Sequence, residues 1–166
     1  MLWKAHLLAG SSTGIYVGSL ISPENILPAA LIGAGAALLP DIDHPNSKVG
    51  QIIPLVSWTI RLTAGHRGIF HSLLGAAAVT AIISGTCVFF NCPYSYKLLM
   101  SVIFSALLSH IVLDSFNPMG CCWFYPLKMH LSIPILHSGG FIEKLIINPI
   151  MFVLLLWLVY SRVITV

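Results

Sequence analysis

The sequence predicts an all-α fold: a polytopic membrane bundle of about five spanning helices, with one or two further helices lying in the interface. Three observations predict it. The 166 residues are 57% hydrophobic and only 8% charged, where a soluble domain carries about 25% charge. Mean hydropathy is +0.93. The apolar residues fall into runs approaching the roughly 20 residues a helix needs to cross a bilayer, and an open sheet would leave backbone groups unpaired there.

The spans read in order as residues 5–21, 26–39, 69–90, 97–116 and 142–160. The first carries Lys4 and an apolar stretch interrupted by Gly10, Ser11, Ser12, Thr13 and Gly14, with no clean small-x-small cleavage site, so it reads as a retained helix rather than a secretory signal. Gly10, Gly14 and Gly18 repeat at intervals of four and form one small-residue ridge for close helix packing. The second span is short. The turn-like clusters Ser22-Pro23-Glu24-Asn25 and Asn91-Cys92-Pro93-Tyr94 join spans one to two and three to four. Two connections are long, 40–68 and 117–140. Within them, 51–64 is semi-apolar with Pro54, Trp58 and Arg61, and reads as an interfacial helix. Residues 121–136, with Trp123, Phe124, Tyr125, Lys128 and His130, read as a second interfacial or re-entrant piece, or as an ordinary loop. No internal repeat stands out, and residues 1–166 read as a single integral membrane domain.

Net charge is +3 on few charges in total, and no basic tail is present, which sets nucleic-acid binding aside. The four cysteines, Cys87, Cys92, Cys121 and Cys122, form no C-x-x-C motif, so neither a zinc ribbon nor a thioredoxin-type pair is expected.

The polar residues carry the functional signal. Ionisable groups inside a membrane segment cost about 2.5–3.5 kcal/mol each at mid-bilayer on insertion scales. Yet all three aspartates and five of the seven histidines fall at or near span ends. Alternating the helices through the membrane puts the start of span one (His6), the end of span two (Asp41, Asp43, His44), the start of span three (His66, His71) and the end of span four (His110, Asp114) on one face. Lys4, Lys48, Arg61, Arg67, Lys128 and Lys144 share that face, with Lys97 and Arg162 opposite. The excess of basic residues marks it as cytoplasmic.

Three motifs make the convergence chemical. His110-Ile-Val-Leu-Asp114 is an H-x-x-x-D pair, one helical turn apart, able to grip one ion or to form a buried His–Asp hydrogen bond. Asp41-Ile-Asp43-His44 lies between Pro40 and Pro45 at a helix C-terminus, where carboxylates oppose the macrodipole and so serve structure poorly. Gly65-His66-Arg67-Gly68-Ile69-Phe70-His71 frees the backbone around His66 and Arg67 and leads His71 into the first turn of span three. Arg67 is placed to clamp a phosphate. Glu143 reads as a ligand, a base or a helix-start acid, and His130 and His137 reach the same face without an assigned role. Up to five histidines and three aspartates exceed one tetrahedral site, so two or three metals are expected, zinc by donor type, with manganese or iron as alternatives.

At Leu38-Leu39-Pro40-Asp41-Ile42-Asp43-His44-Pro45, at the motif from Gly65 to Leu73 and at Ser109-His110-Ile111-Val112-Leu113-Asp114, the chain resembles the YdjM-like membrane-bound metal-dependent hydrolases of bacterial inner membranes. The resemblance runs from His6 to about Pro126. It implies a metal site at His6, Asp41, Asp43, His44, His66, His71, His110 and Asp114. The family is distantly similar to zinc-dependent phospholipase C, whose H-x-x-x-D ligand pair His110 and Asp114 fit. The expected function is metal-dependent hydrolysis of a phosphoester, lipid-linked because the site is embedded in a bilayer, at the cytoplasmic face of the inner membrane. Arg67 would bind phosphate and Asp43 or Glu143 would take the proton. The alternatives are a metal-ion transporter and a non-catalytic membrane protein with a structural metal site; the sequence leaves substrate and oligomeric state open.

Overall fold

A computed structural model describes residues 2–64, 68–127 and 129–164. Among the described residues, seven α-helices follow one another: α1 (Trp3–Ile21), α2 (Ile26–Ala36), α3 (Lys48–Ile52), α4 (Pro54–Ala64), α5 (Leu73–Phe89), α6 (Tyr96–Ser115) and α7 (Asn148–Val159). Short 3-10 turns precede α2 (Pro23–Asn25), follow it (Leu39–Asp43) and precede α5 (Ile69–His71). π-helical segments flank α7 at Glu143–Ile147 and Tyr160–Ile164.

The five long apolar runs are all helical. Among the described residues, three stretches are long and apolar enough to cross a membrane: Pro23–Asp43, Tyr96–Ser115 and Glu143–Ile164; α5 is apolar but shorter. In α1, Lys4, His6 and a run of Gly, Ser and Thr dilute the apolar character. Large side chains such as Leu31, Ile82, Val153 and Trp157 project outward from these helices. In water such a surface would be an aggregation liability; in a bilayer it is the lipid-facing side.

Helices α1 and α2 form the tightest pair. A Cβ built on Gly18 would lie 2.7 Å from the Cβ of Ala29, and one on Gly10 would lie 2.5 Å from the Cβ of Ala37. A Cβ on Gly14 would strike the Ala29 carbonyl. The expected glycine ridge is therefore a backbone-to-backbone contact, and Gly33 on α2 completes it from the other side. Helix α6 lies against α1, α2 and α5. Its Leu99, Ile103, Ala106, Leu107 and Ile111 pack with Ala36, Ala37 and Ala76 into the main core. Helix α7 joins through Leu158, packed with Ile15 and Ile26.

The expected interfacial helix at 51–64 is the pair α3–α4. Ser47 caps α3, its Oγ accepting from Gly50 N at 2.9 Å. Leu55, Val56, Trp58 and Leu62 of α4 point outward while Ser57 is buried, the pattern of a helix lying along a membrane surface. The second expected interfacial piece is not helical. Its backbone folds back on itself, Cys121 N donating to Leu131 O at 3.0 Å and Leu131 N to Cys121 O at 2.9 Å.

Candidate metal centre

Four chain segments deliver histidines and aspartates to one buried locus. His6 comes from the first turns of α1. Asp41 and Asp43 come from the turn after α2, His71 from the turn before α5, and His110 and Asp114 from the last turns of α6. His6, His71, His110 and Asp43 are fully buried and Asp114 nearly so.

His71 does not lie in the first turn of α5, as its spacing suggested. Ser72 takes the N-cap position instead, its Oγ accepting from Gly75 N at 3.0 Å and donating to Ile69 O at 2.6 Å. That cap starts the helix at Leu73 and leaves His71 on a separate turn. Gly75 is required here, because any Cβ would collide with the Ile69 carbonyl.

His110 Nδ1 lies 2.7 Å from the carbonyl oxygen of Ala37, one of the carbonyls left without a helical partner where α2 ends. A carbonyl only accepts, so Nδ1 carries the proton and Nε2 of the neutral ring presents its lone pair. That Nε2 lies 3.2 Å from Nε2 of His71. His71 Nδ1 in turn lies 3.3 Å from Asp43 Oδ2. Both rings thus have Nδ1 beside a backbone or carboxylate oxygen and Nε2 turned inward, the arrangement that orients metal-ligating histidines. Two nitrogens each about 2.05 Å from a tetrahedral zinc would be about 3.3 Å apart, close to the observed 3.2 Å separation.

Asp114 lies between the rings. Its Oδ1 is 3.3 Å from His6 Nε2, and its Oδ2 is 3.7 Å from His71 Nε2 and 3.9 Å from His110 Nε2. Asp41 Oδ1 is 4.0 Å from His110 Nε2. The His6 ring stacks on His110, centroids 3.8 Å apart, and neither His6 nitrogen makes a hydrogen bond among the described residues. Buried polar atoms almost always find a partner, so the His6 nitrogens fit a ligand role. Among the described residues, two overlapping donor sets, His6 with Asp41 and His110, and His71 with His110 and Asp114, each converge within 4.8 Å and could hold a metal ion.

The other expected site residues are placed as follows. His44 is half-buried and lines a cleft of about 310 Å³ of mixed character, with Asp41, Asn46 and Lys48 on one part and Leu2 and Trp3 on another. His66 and Arg67 lie outside the described residues. Glu143 is buried, its two carboxylate oxygens accepting from Leu2 N at 2.5 Å and Gly139 N at 2.7 Å. It ties the start of α1 and the last loop to the final helix, and it is in neither donor set. His130 and His137 are exposed, with His130 Nε2 3.3 Å from Cys122 Sγ. Sequence reading missed Asn117. It is buried, donates through Nδ2 to Asp114 Oδ1 at 3.2 Å, and accepts at Oδ1 from Ser138 Oγ at 3.3 Å. Its place three residues beyond Asp114, at the end of α6, was the available signal.

The fold and site define an all-helical integral membrane protein with a buried His/Asp cluster where helix ends converge. The chain belongs to the YdjM inner membrane protein family, matched over residues 1–166. It is 32% identical over 142 residues to inner membrane protein YdjM of Escherichia coli (strain K12), covering 82% of this chain and 68% of that protein. It is 28% identical over 148 residues to the uncharacterized protein YvsG of Bacillus subtilis (strain 168), covering 89% and 88%. No solved structure matches the chain.

Proposed function

We propose that the protein is a metal-dependent hydrolase of a lipid-linked phosphoester, its site facing the cytoplasm from a bundle of five membrane passes. The observation that carries the reading is the position of the turn Leu39–Asp43 between two unlike spaces. Asp41, with His44 just beyond the turn, faces a cleft that carries polar groups, Asn46 and Lys48 among them, beside the apolar Leu2 and Trp3. Leu39, Pro40 and Ile42 line an apolar groove with Phe70, Val79 and Leu107. A phosphorylated head group would sit beside Lys48 and Asp41 in the first space and a hydrocarbon chain in the second.

A bound divalent cation, zinc by donor type, would activate water and polarise the phosphoryl oxygen. His6, His71, His110, Asp41 and Asp114 would hold it. The Asp43 carboxylate lies beside Nδ1 of His71, and the Ala37 carbonyl fixes the ring of His110. Asn117 orients Asp114. Lys48, and Arg67 by its place in the sequence, would attract the anionic head group. Asp41, whose side chain is 18% exposed, is the member of the donor set that water in the cleft would reach.

A structural metal site is the second reading, favoured by the complete burial of all three histidines. The open edge at Asp41 favours catalysis, since catalytic sites keep a position free for water. The test is bound metal per chain in mild detergent, for the native protein and for His110→Ala with Asp114→Ala, followed by phosphate release from lipid phosphoesters in mixed micelles. Metal lost in the variant together with metal-dependent release supports the hydrolase. Bound metal without turnover of any phosphoester leaves the structural site, and no metal in a folded native protein overturns both.

A further inference from the structure

We propose that Cys87 and Cys92 form a disulfide on the membrane face opposite the His/Asp cluster. Helix α5 ends in a tight cap. Cys92 N donates to Cys87 O at 2.9 Å and Asn91 N donates to Val88 O at 3.0 Å. Asn91 adopts a left-handed φ of 54°, and Pro93 follows to stop the helix. This is the paired hydrogen-bond pattern that folds the residue two beyond the cap back onto the residue three before the helix end. Here both of those residues are cysteines, so the backbone bond from Cys92 N to Cys87 O brings the two positions together. Cys87 is half-buried and Cys92 exposed, so an oxidant can reach the pair.

The four cysteines divide by face. Cys121 and Cys122 are buried in the segment after α6, on the cluster's side. Cys87 and Cys92 lie at the other end of α5, which spans 17 residues, or about 25 Å at 1.5 Å per residue. If the cluster faces the cytoplasm, a topology that the proposed function shares, this end faces the oxidising side of an inner membrane. There the thiols would lose two protons and two electrons to a disulfide-bearing thiol oxidant, itself reduced to a dithiol, and one S–S bond would form. The bond would clamp the last turn of α5 to the connection into α6.

The test uses the native chain. Cells are quenched in acid, free thiols are alkylated with and without prior reduction, and the tryptic peptide 68–97, which contains no other cysteine, is weighed. The expected peptide without reduction is two hydrogens lighter and unalkylated, and after reduction it carries two labels. Two labels without reduction overturn the proposal. In that event a membrane-impermeant maleimide applied to intact cells separates the causes: labelling of Cys92 from outside means the topology holds but the thiols stay reduced, and protection means this face is cytoplasmic. A chain carrying Cys121→Ser and Cys122→Ser provides the second measurement. It is expected to hold no reactive thiol before reduction and two after; two before reduction also overturn the proposal.

Discussion

Replacing Asp43 by asparagine tests the electrostatic logic of the metal centre at one atom. Asp43 Oδ2 lies 3.3 Å from His71 Nδ1, and both side chains are fully shielded from solvent. A carboxylate at that distance favours the proton on the nearer ring nitrogen, Nδ1, through its charge, which leaves the Nε2 lone pair facing His110 and Asp114. An amide in its place can donate to Nδ1, which moves the proton to Nε2 and blocks the ligating lone pair, the tautomer fault a buried Asp→Asn change beside histidine produces. Loss of an orienting partner of this kind costs about 10–100-fold in metal affinity, or about 1.4–2.8 kcal/mol. The assay is a chelator-competition titration with zinc in detergent, paired with thermal unfolding with and without the metal. The stabilisation conferred by saturating zinc is expected to shrink by the same amount. Equal zinc affinity in the two proteins would refute the assignment of Asp43 as the group that orients His71.

Other perturbations probe the scaffold and the cleft. Gly14→Val is expected to lower stability in detergent by about 1–3 kcal/mol or more, by forcing α1 off the Ala29 carbonyl, whereas Gly35→Ala, where a Cβ meets nothing within 4 Å, is expected to be neutral or stabilising; thermal unfolding of the pair decides it. Glu143→Ala is expected to cost about 1.5–3 kcal/mol by removing the acceptor of the Leu2 and Gly139 N–H groups. Its bound metal per chain is expected to match the native protein, and loss of metal from a folded variant would instead make Glu143 part of the centre. Lys48→Ala is expected to raise KM for an anionic lipid about two- to fivefold with kcat and metal content unchanged, the scale of an exposed charge contact; kinetics at two salt concentrations would show the difference narrowing at the higher one.

The membrane bundle and the convergence of the candidate ligands follow from the residues alone. Sparse charge and long apolar runs leave helices as the structure that satisfies the backbone, and alternation through the bilayer then sends His6, Asp41, Asp43, His71, His110 and Asp114 to one face whatever the packing. The i, i+4 spacing of His110 and Asp114 is local geometry and survived intact. Other features needed the tertiary structure. Asp41 and Asp43 are two residues apart and chemically alike in sequence, yet the 3-10 turn after α2 turns one to the cleft and buries the other against His71. The Ser72 cap, set against Ile69 by the space at Gly75, moved His71 off the helix it was expected to begin. The tautomer of His110 depends on a carbonyl 73 positions away, and Glu143 serves a backbone amide 141 positions away. Such pairings arise from close approach between helices, which no local pattern of residues encodes.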